Sequence, residues 1–215
     1  MKYRALTVSR EYGSGGGEIA RVIARELGWR LIDKELIAEI SRRAQVPPDD
    51  VLAVDERVDP WLHRITRSMW GMGADGVSAI VPVDIFDAEK AYLLARRVIE
   101  DGYKEGNCVI VGRGAQCILR YRKDVFHAFI YAAWEDRVRR IEERVERGTD
   151  VASLIQKTDS ERNEYVWMHF KQNRLYPYLY DIMVDSKNHI EKTARLIISA
   201  MQTDSAVDSV GRWSS

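Results

Sequence analysis

The sequence predicts an α/β fold, a parallel sheet of about five strands held between two layers of helices. Short apolar runs alternate along the chain with longer stretches whose apolar residues recur at helical spacing. The short runs are apolar throughout, as in strands covered on both faces. The first of them, Tyr3 to Val8, leads into a glycine-rich turn, Gly13-Ser14-Gly15-Gly16-Gly17, and a helical pattern follows at once. Strand, glycine turn and helix N-terminus together make an anion site. Glycines let backbone N–H groups approach a phosphate, and the helix dipole adds positive charge.

Composition bounds the reading. The 215 residues allow one α/β domain with insertions, and 46% hydrophobic content is enough for a sizeable core. Charged residues at 31% argue against disorder and for a helix-rich surface. Lysine plus arginine and aspartate plus glutamate balance at 33 each, so net charge gives no case for nucleic-acid binding. Cys108 and Cys117 suggest neither a disulfide scaffold nor a metal site with histidine, which favours a reducing compartment. The apolar run after Met1 is too short for a signal peptide, and no stretch is long enough to span a membrane. The expectation is a soluble cytoplasmic protein with no membrane partner.

Each element has its own signal. Ile19, Val22, Ile23 and Leu27 share one face of the first helix, which Gly28 ends. Trp29 to Ile32 reads as the second strand. Asp33 then caps a helix carrying Leu36, Ile37 and Ile40, and lies at the strand's carboxyl end, where doubly wound sheets bind ligands. Pro47 and Pro48 break the chain. Residues 46–84 read as a helical insertion, with Trp61, Ile65, Met69 and Trp70 at helical spacing and a glycine-loosened loop behind them. Met69, Trp70 and Met72 read as packing residues, with a dimer surface as the alternative.

Ile85 to Tyr103 is a long helix and Cys108 to Val111 a strand, closed by Gly112-Arg113-Gly114. A helical turn follows through Cys117 and Leu119, then a strand from Val125 to Tyr131. The next helix runs from Trp134 to Arg147, with Trp134, Val138, Ile141 and Val145 facing inward and Arg137, Arg140, Arg144 and Arg147 on its flank. A second helix, Val151 to about Phe170, carries Asp159 and Arg162 one turn apart. Residues 134–173 together read as a lid. Asp181 to Val184 is the last strand, and Ile190 to Met201 the final helix. Thr203 to Ser215 is polar and expected to fray. The chain is thus read as one domain over residues 1–203 with a tail over 204–215.

Several residues suit phosphoryl transfer, which needs positioning and positive charge around anionic oxygens. Gly13 to Gly17 supply a backbone cradle, with Arg10 just before it and Arg113 at a strand end between two glycines. Arginines converging from separate elements are what two phosphates in one cleft require. Asp159 and Arg162 also read as an ordinary surface pair. Glu18 either caps its helix or, with Asp33, shares Mg²⁺ beside a nucleotide. His63, His127, His169 and His189 lie in separate elements and read as packing or surface residues.

At four places in order the chain resembles the cytidylate kinase-like family of P-loop nucleoside monophosphate kinases. These are Val8 to Gly16, Asp33-Lys34-Glu35-Leu36, Val111-Gly112-Arg113-Gly114, and Lys157 to Arg162. The resemblance implies a three-layer P-loop fold with a helical monophosphate-binding insertion and a helical lid. It implies donor phosphates on the loop, at Gly13, Ser14, Gly15, Gly16 and Gly17. It implies the acceptor monophosphate on Arg113, lid arginines at Arg137 and Arg140, and Asp159 and Arg162 at the transferring group. The chain departs from typical cytidylate kinases in four places. Gly16 stands at the Walker A lysine, Glu18 at the magnesium-binding hydroxyl, and Gly114 at the aspartate that helps recognise the acceptor nucleotide. Lys34 stands where those enzymes carry a small polar residue. Lys34 and Arg10, ahead of Arg21, are the cations available to replace the lysine. The expected function is an ATP- and Mg²⁺-dependent kinase acting on a nucleoside monophosphate or similar small acceptor. The alternatives are a catalytically silent nucleotide sensor and a self-associating interaction protein on the same fold.

Overall fold

The computed structural model of the chain describes residues 2–33 and 85–210. Lys34, the helix expected after Asp33, the 46–84 insertion with Met69, Trp70 and His63, and the last five residues lie outside them. Five strands form one all-parallel sheet in the order β2-β3-β1-β4-β5. In chain order, β1 (Ala5–Arg10) leads to α1 (Gly16–Leu27) and β2 (Arg30–Ile32). After the gap come α2 (Ile85–Glu105), β3 (Cys108–Val111), α3 (Ala115–Ile118) and β4 (Val125–Tyr131). Then follow α4 (Trp134–Glu142), α5 (Val151–Phe170), β5 (Ile182–Asp185) and α6 (Ile190–Val210).

The sheet is apolar on both faces because its side chains alternate between two cores. Leu6, Val8, Val109, Val111, Phe126, Ala128 and Ile130 point to one side, where Ile19 and Ile23 of α1 and Ala194, Ile197 and Met201 of α6 cover them. Ala5, Cys108, Ile110 and Val125 point to the other, against Ala95, Val98 and Ile99 of α2 and Leu119 after α3. A third, smaller core joins Tyr12 to Ile141, Val151 and Ile155, and so seats α4 and α5 over the carboxyl edge of the sheet.

Three sequence expectations shift. The first strand begins and ends two residues later than Tyr3 to Val8, because its pairing with β4 continues to Arg10 opposite Ile130. That extension places Ser9 and Arg10 on the sheet rather than in the loop. Helix α4 stops at Glu142 rather than Arg147. Its backbone tightens where the Arg144 amide turns to the Ile141 carbonyl, one residue short of helical spacing. Its buried face is also different, since Arg137 and Ile141, four apart, point inward while Trp134 is 38% exposed. The final helix continues through the expected fraying point to Val210. Thr203 to Val210 contains neither glycine nor proline, so polarity alone does not end it.

Candidate active site

The sheet order brings three loop-bearing strand ends side by side. Asp33 follows β2, Gly112 follows β3, and Arg10 ends β1. They form the floor of an open cleft. Ser9, Arg113, Gly114 and Gln116 complete that side, and Arg162, Tyr165 and Val166 of α5 and Arg174 close the other. Four arginines and one carboxylate therefore share one cavity. Such a wall suits an anionic ligand.

The turn Gly112-Arg113-Gly114 takes three left-handed residues in succession, at φ 77°, 58° and 68°. Arg113 holds this conformation without being glycine, at a cost of about 1–2 kcal/mol. The turn aims its side chain into the cleft, as the glycines on either side suggest. Desolvation pushes the Arg113 guanidinium down to about 10, and Arg10 and Arg162 push the same way, against Tyr165 and Asp33. It remains a cation at neutral pH, but one whose surroundings favour an added anion. Burial pushes the Tyr165 hydroxyl up to about 12, so it stays a neutral hydrogen-bonding group.

The backbone of Arg10 is anchored from across the cleft. Its carbonyl accepts from Arg174 Nη1 at 2.7 Å and from Arg162 Nη1 at 3.2 Å. Arg174 also donates through Nε to Asn163 Oδ1 at 2.8 Å and reaches Asp159 Oδ1 at 3.4 Å, and its plane lies over the Phe129 ring. It is 4% exposed, and burial lowers its pKa against the opposing pull of Asp159. Sequence reading missed Arg174, because a single arginine in a loop of tyrosine and proline carries no periodicity. Gln116 and Tyr165 were missed as well, each reading as an ordinary helix residue.

Asp159 joins the lid to the loop. Its Oδ1 accepts the Tyr12 amide at 2.9 Å and lies 3.9 Å from Arg162, and its Oδ2 pairs with Arg137. Arg137 also donates through Nε to the Tyr12 carbonyl at 2.7 Å and reaches Glu11 at 3.4 Å. It is buried within this network and does not line the cleft. Arg140 lies on the outer side of the glycine loop. It donates to the Ser186 hydroxyl at 2.9 Å and carbonyl at 3.0 Å, and approaches the Gly13 carbonyl at 3.5 Å. The Ser186 hydroxyl in turn donates to the Ser14 carbonyl at 2.6 Å. Of the five residues expected to be catalytic, Arg113 and Arg162 line the cleft, Asp159 and Arg137 lock the loop to the lid, and Arg140 buttresses the loop from outside.

The loop itself opens α1. Gly15 is the N-cap in the left-handed region, and the first helical bonds run from the Glu18 and Ile19 amides to its carbonyl. The amides of Gly16 and Gly17 precede those bonds and stand at the positive end of the helix. Ser14 is fully buried, its hydroxyl donating to the Glu11 carbonyl at 2.9 Å. Glu18 pairs with Arg144 at 2.7 Å, whereas Asp33 lies 4.0 Å from Arg10. Mg²⁺ shared by both carboxylates would require Glu18 to leave Arg144. Among the described residues no group of three or more histidines, cysteines or carboxylates could hold a metal alone. A cation here would depend on phosphate oxygens as well, which suits Mg²⁺. No helix among the described residues is long and apolar enough to cross a membrane.

The profile of the cytidylate kinase-like family matches residues 5–188. The chain belongs to the cytidylate kinase-like family. Solved structures give the fold independently. An uncharacterized protein from Eubacterium ventriosum matches with a TM-score of 0.64 at 20% identity, over 93% of this chain and 98% of that one. Shikimate kinase from Acinetobacter baumannii, in complex with shikimate, matches at 0.53 and 13%, over 94% of each chain. A gluconokinase from Sinorhizobium meliloti matches at 0.54 and 12%, over 96% and 97%. These likenesses place the chain in the three-layer P-loop kinase fold. A search of curated proteins found none that matches. In this cytidylate kinase-like chain Arg113 stands at a strand end, Asp159 and Arg162 lie one turn apart on α5, and glycines occupy positions 16 and 114.

Proposed function

We propose that the protein is a nucleotide kinase that moves the γ-phosphoryl group of ATP to a nucleoside monophosphate or a similar small anionic acceptor, with Mg²⁺. The observation that carries this reading is the convergence of Arg113, Arg162, Arg10 and Arg174 on one cleft beside the helix N-terminus of the glycine loop. Phosphoryl transfer asks a protein mainly for positioning and positive charge, and this cleft supplies both.

In this reading the loop amides of Gly13 to Gly17 cradle the donor phosphates. Arg113 holds the anionic group of the acceptor. Arg162 faces the transferring group from α5, with its orientation fixed by the Arg10 carbonyl. Arg137 and Asp159 act at one remove, keeping the loop and lid in register. Asp33, the carboxylate facing the cleft, would help hold Mg²⁺, which would neutralise the phosphate oxygens of bound ATP, the source of the phosphoryl group.

Asp33 also bears on the acceptor. A carboxylate beside Arg113 repels a bare second phosphate but accepts a hydrogen bond from a hydroxyl. The acceptor best suited to this cleft carries both an anionic group and hydroxyls, as a nucleoside monophosphate does. Single-turnover reactions with γ-labelled ATP across a panel of nucleoside monophosphates and hydroxy acids test the reading. Labelled product from at least one acceptor supports it. Binding of ATP with no product from any acceptor, in folded protein, would leave the silent sensor in its place.

A further inference from the structure

The Walker A lysine is absent from this loop, and the structure shows what occupies its path. Gly16 is the first residue of α1 and has ordinary helical geometry, so no positive φ demands glycine there. A Cβ at Gly16 would stand 2.7 Å from the Cβ of Arg10, 3.1 Å from its Cδ and 3.2 Å from its Cγ. The aliphatic stem of Arg10 thus lies flat on the site where a lysine stem would begin. Its guanidinium then passes Gly112, where a Cβ would stand 2.7 Å from Nη1, and comes within 4.0 Å of Asp33.

The geometry points to Arg10 as the phosphate-binding cation of this loop, supplied from strand β1 in place of a lysine supplied from helix α1. Both start beside the same helix N-terminus, and one excludes the other. A residue larger than glycine at 16 collides with the Cβ of Arg10, which is fixed to the backbone and cannot swing away. That backbone is itself held by Arg162 and Arg174 through the Arg10 carbonyl. The guanidinium ends between the glycine loop and the Gly112-Arg113-Gly114 turn. This is the junction of donor and acceptor sides, where a P-loop lysine meets the β- and γ-phosphates. A planar fork there can hold two oxygens at once, which an ammonium cannot. Asp33 is the resting counter-ion that phosphate would displace.

This inference rests on the kinase reading for the identity of the ligand, and a reciprocal exchange tests it. Binding of ADP with Mg²⁺ is measured by calorimetry for the wild type, Arg10→Gly, Gly16→Lys and the double variant Arg10→Gly/Gly16→Lys, glycine being chosen at position 10 because alanine would keep the Cβ that bars a side chain at 16. Arg10→Gly should weaken ADP about tenfold or more, the loss expected of a charge-assisted contact. Gly16→Lys alone should bind no better, since both stems cannot fit. The double variant should recover most of the wild-type affinity, because the lysine then occupies the vacated path.

If Gly16→Lys does not fold, Gly16→Ala made in the wild type and in the Arg10→Gly variant gives a second measure. It should lower the melting temperature of the wild type and not that of the Arg10→Gly variant. ADP affinity indifferent to Arg10, a double variant no better than Arg10→Gly, or wild-type protein that binds no ADP would overturn the inference. The first two outcomes leave the kinase reading standing. Rescue of binding without phosphoryl transfer by the wild type would instead remove the kinase reading and leave Arg10 as the cation of a binding site.

Discussion

Gly114 and Phe170 compete for the same space. A Cβ at Gly114 would stand 2.8 Å from Cζ of the Phe170 ring and closer still to Cε2, and Gly114 sits at φ 68°. The aspartate that typical cytidylate kinases carry at this position is therefore sterically barred. Gly114→Ala should destabilise the protein by about 2–4 kcal/mol, from overpacking and left-handed strain together. Urea unfolding measures it. Phe170→Ala in the same chain should relieve the steric part and leave the backbone part. A Gly114→Ala variant as stable as the wild type would show that Phe170 moves aside at no cost.

Arg137 is expected to act on stability before it acts on ligand. Its side chain is 8% exposed and bridges Asp159, Glu11 and the Tyr12 carbonyl. Arg137→Met keeps the stem but leaves two carboxylates without that cation, at a cost of about 3–5 kcal/mol. The loss should appear in thermal melts of ligand-free protein. A variant with wild-type stability and abolished nucleotide binding would return Arg137 to a direct phosphate contact.

His127 gives a pH signature. It is buried on the interior strand β4, with Nδ1 2.7 Å from the hydroxyl of Thr7 on the neighbouring strand β1. Burial lowers its pKa below the ordinary 6.5, and the Asp181 carboxylate opposes this only in part. The unfolded chain consequently takes up this proton first. The stability due to the neutral ring is whole above about pH 6.5 and falls as pH drops below it, by at most about 1.4 kcal/mol per pH unit. His127→Asn should flatten that part of the profile between about pH 7 and pH 5. An unchanged slope would mean that His127 titrates alike in both states.

Glu18 separates a latch from a metal ligand. It pairs with Arg144 at 2.7 Å, with both side chains more than a third exposed. An exposed pair is worth about 0.2–1 kcal/mol. Glu18→Gln and Arg144→Gln should each cost that little, and their combination no more than either alone. The Mg²⁺ dependence of ADP binding should be unchanged in Glu18→Gln. A weakened metal dependence would put Glu18 on the cation, as one reading of the sequence has it.

The sheet was legible because its strands are apolar runs and its helices carry regular faces, as at Ile19, Val22 and Ile23. The turns at the glycine loop and around Arg113 were legible because glycine clusters mark backbone in left-handed conformations, as at Gly13, Gly15, Gly112 and Gly114. What escaped has a common physical cause. Arg174, Gln116 and Tyr165 meet the site only through tertiary packing, which leaves no local pattern. Arg137 read with Arg140 and Arg144 as one arginine flank of its helix, because its burial depends on partners distant in sequence, Asp159 and Glu11. The reason for Gly16 was equally hidden. The residue that requires it, Arg10, lies only six positions earlier but on a different element.

The central claim is that the arginine cleft binds an acceptor for phosphoryl transfer, and Arg113 tests it most directly. Single-turnover transfer from γ-labelled ATP is compared for the wild type and Arg113→Ala, with folding and ATP binding verified for both. The account predicts transfer to at least one acceptor by the wild type, slowed about a hundredfold or more in Arg113→Ala with ATP binding retained. Transfer at the same rate in both proteins, or none from the wild type to any acceptor, would contradict it.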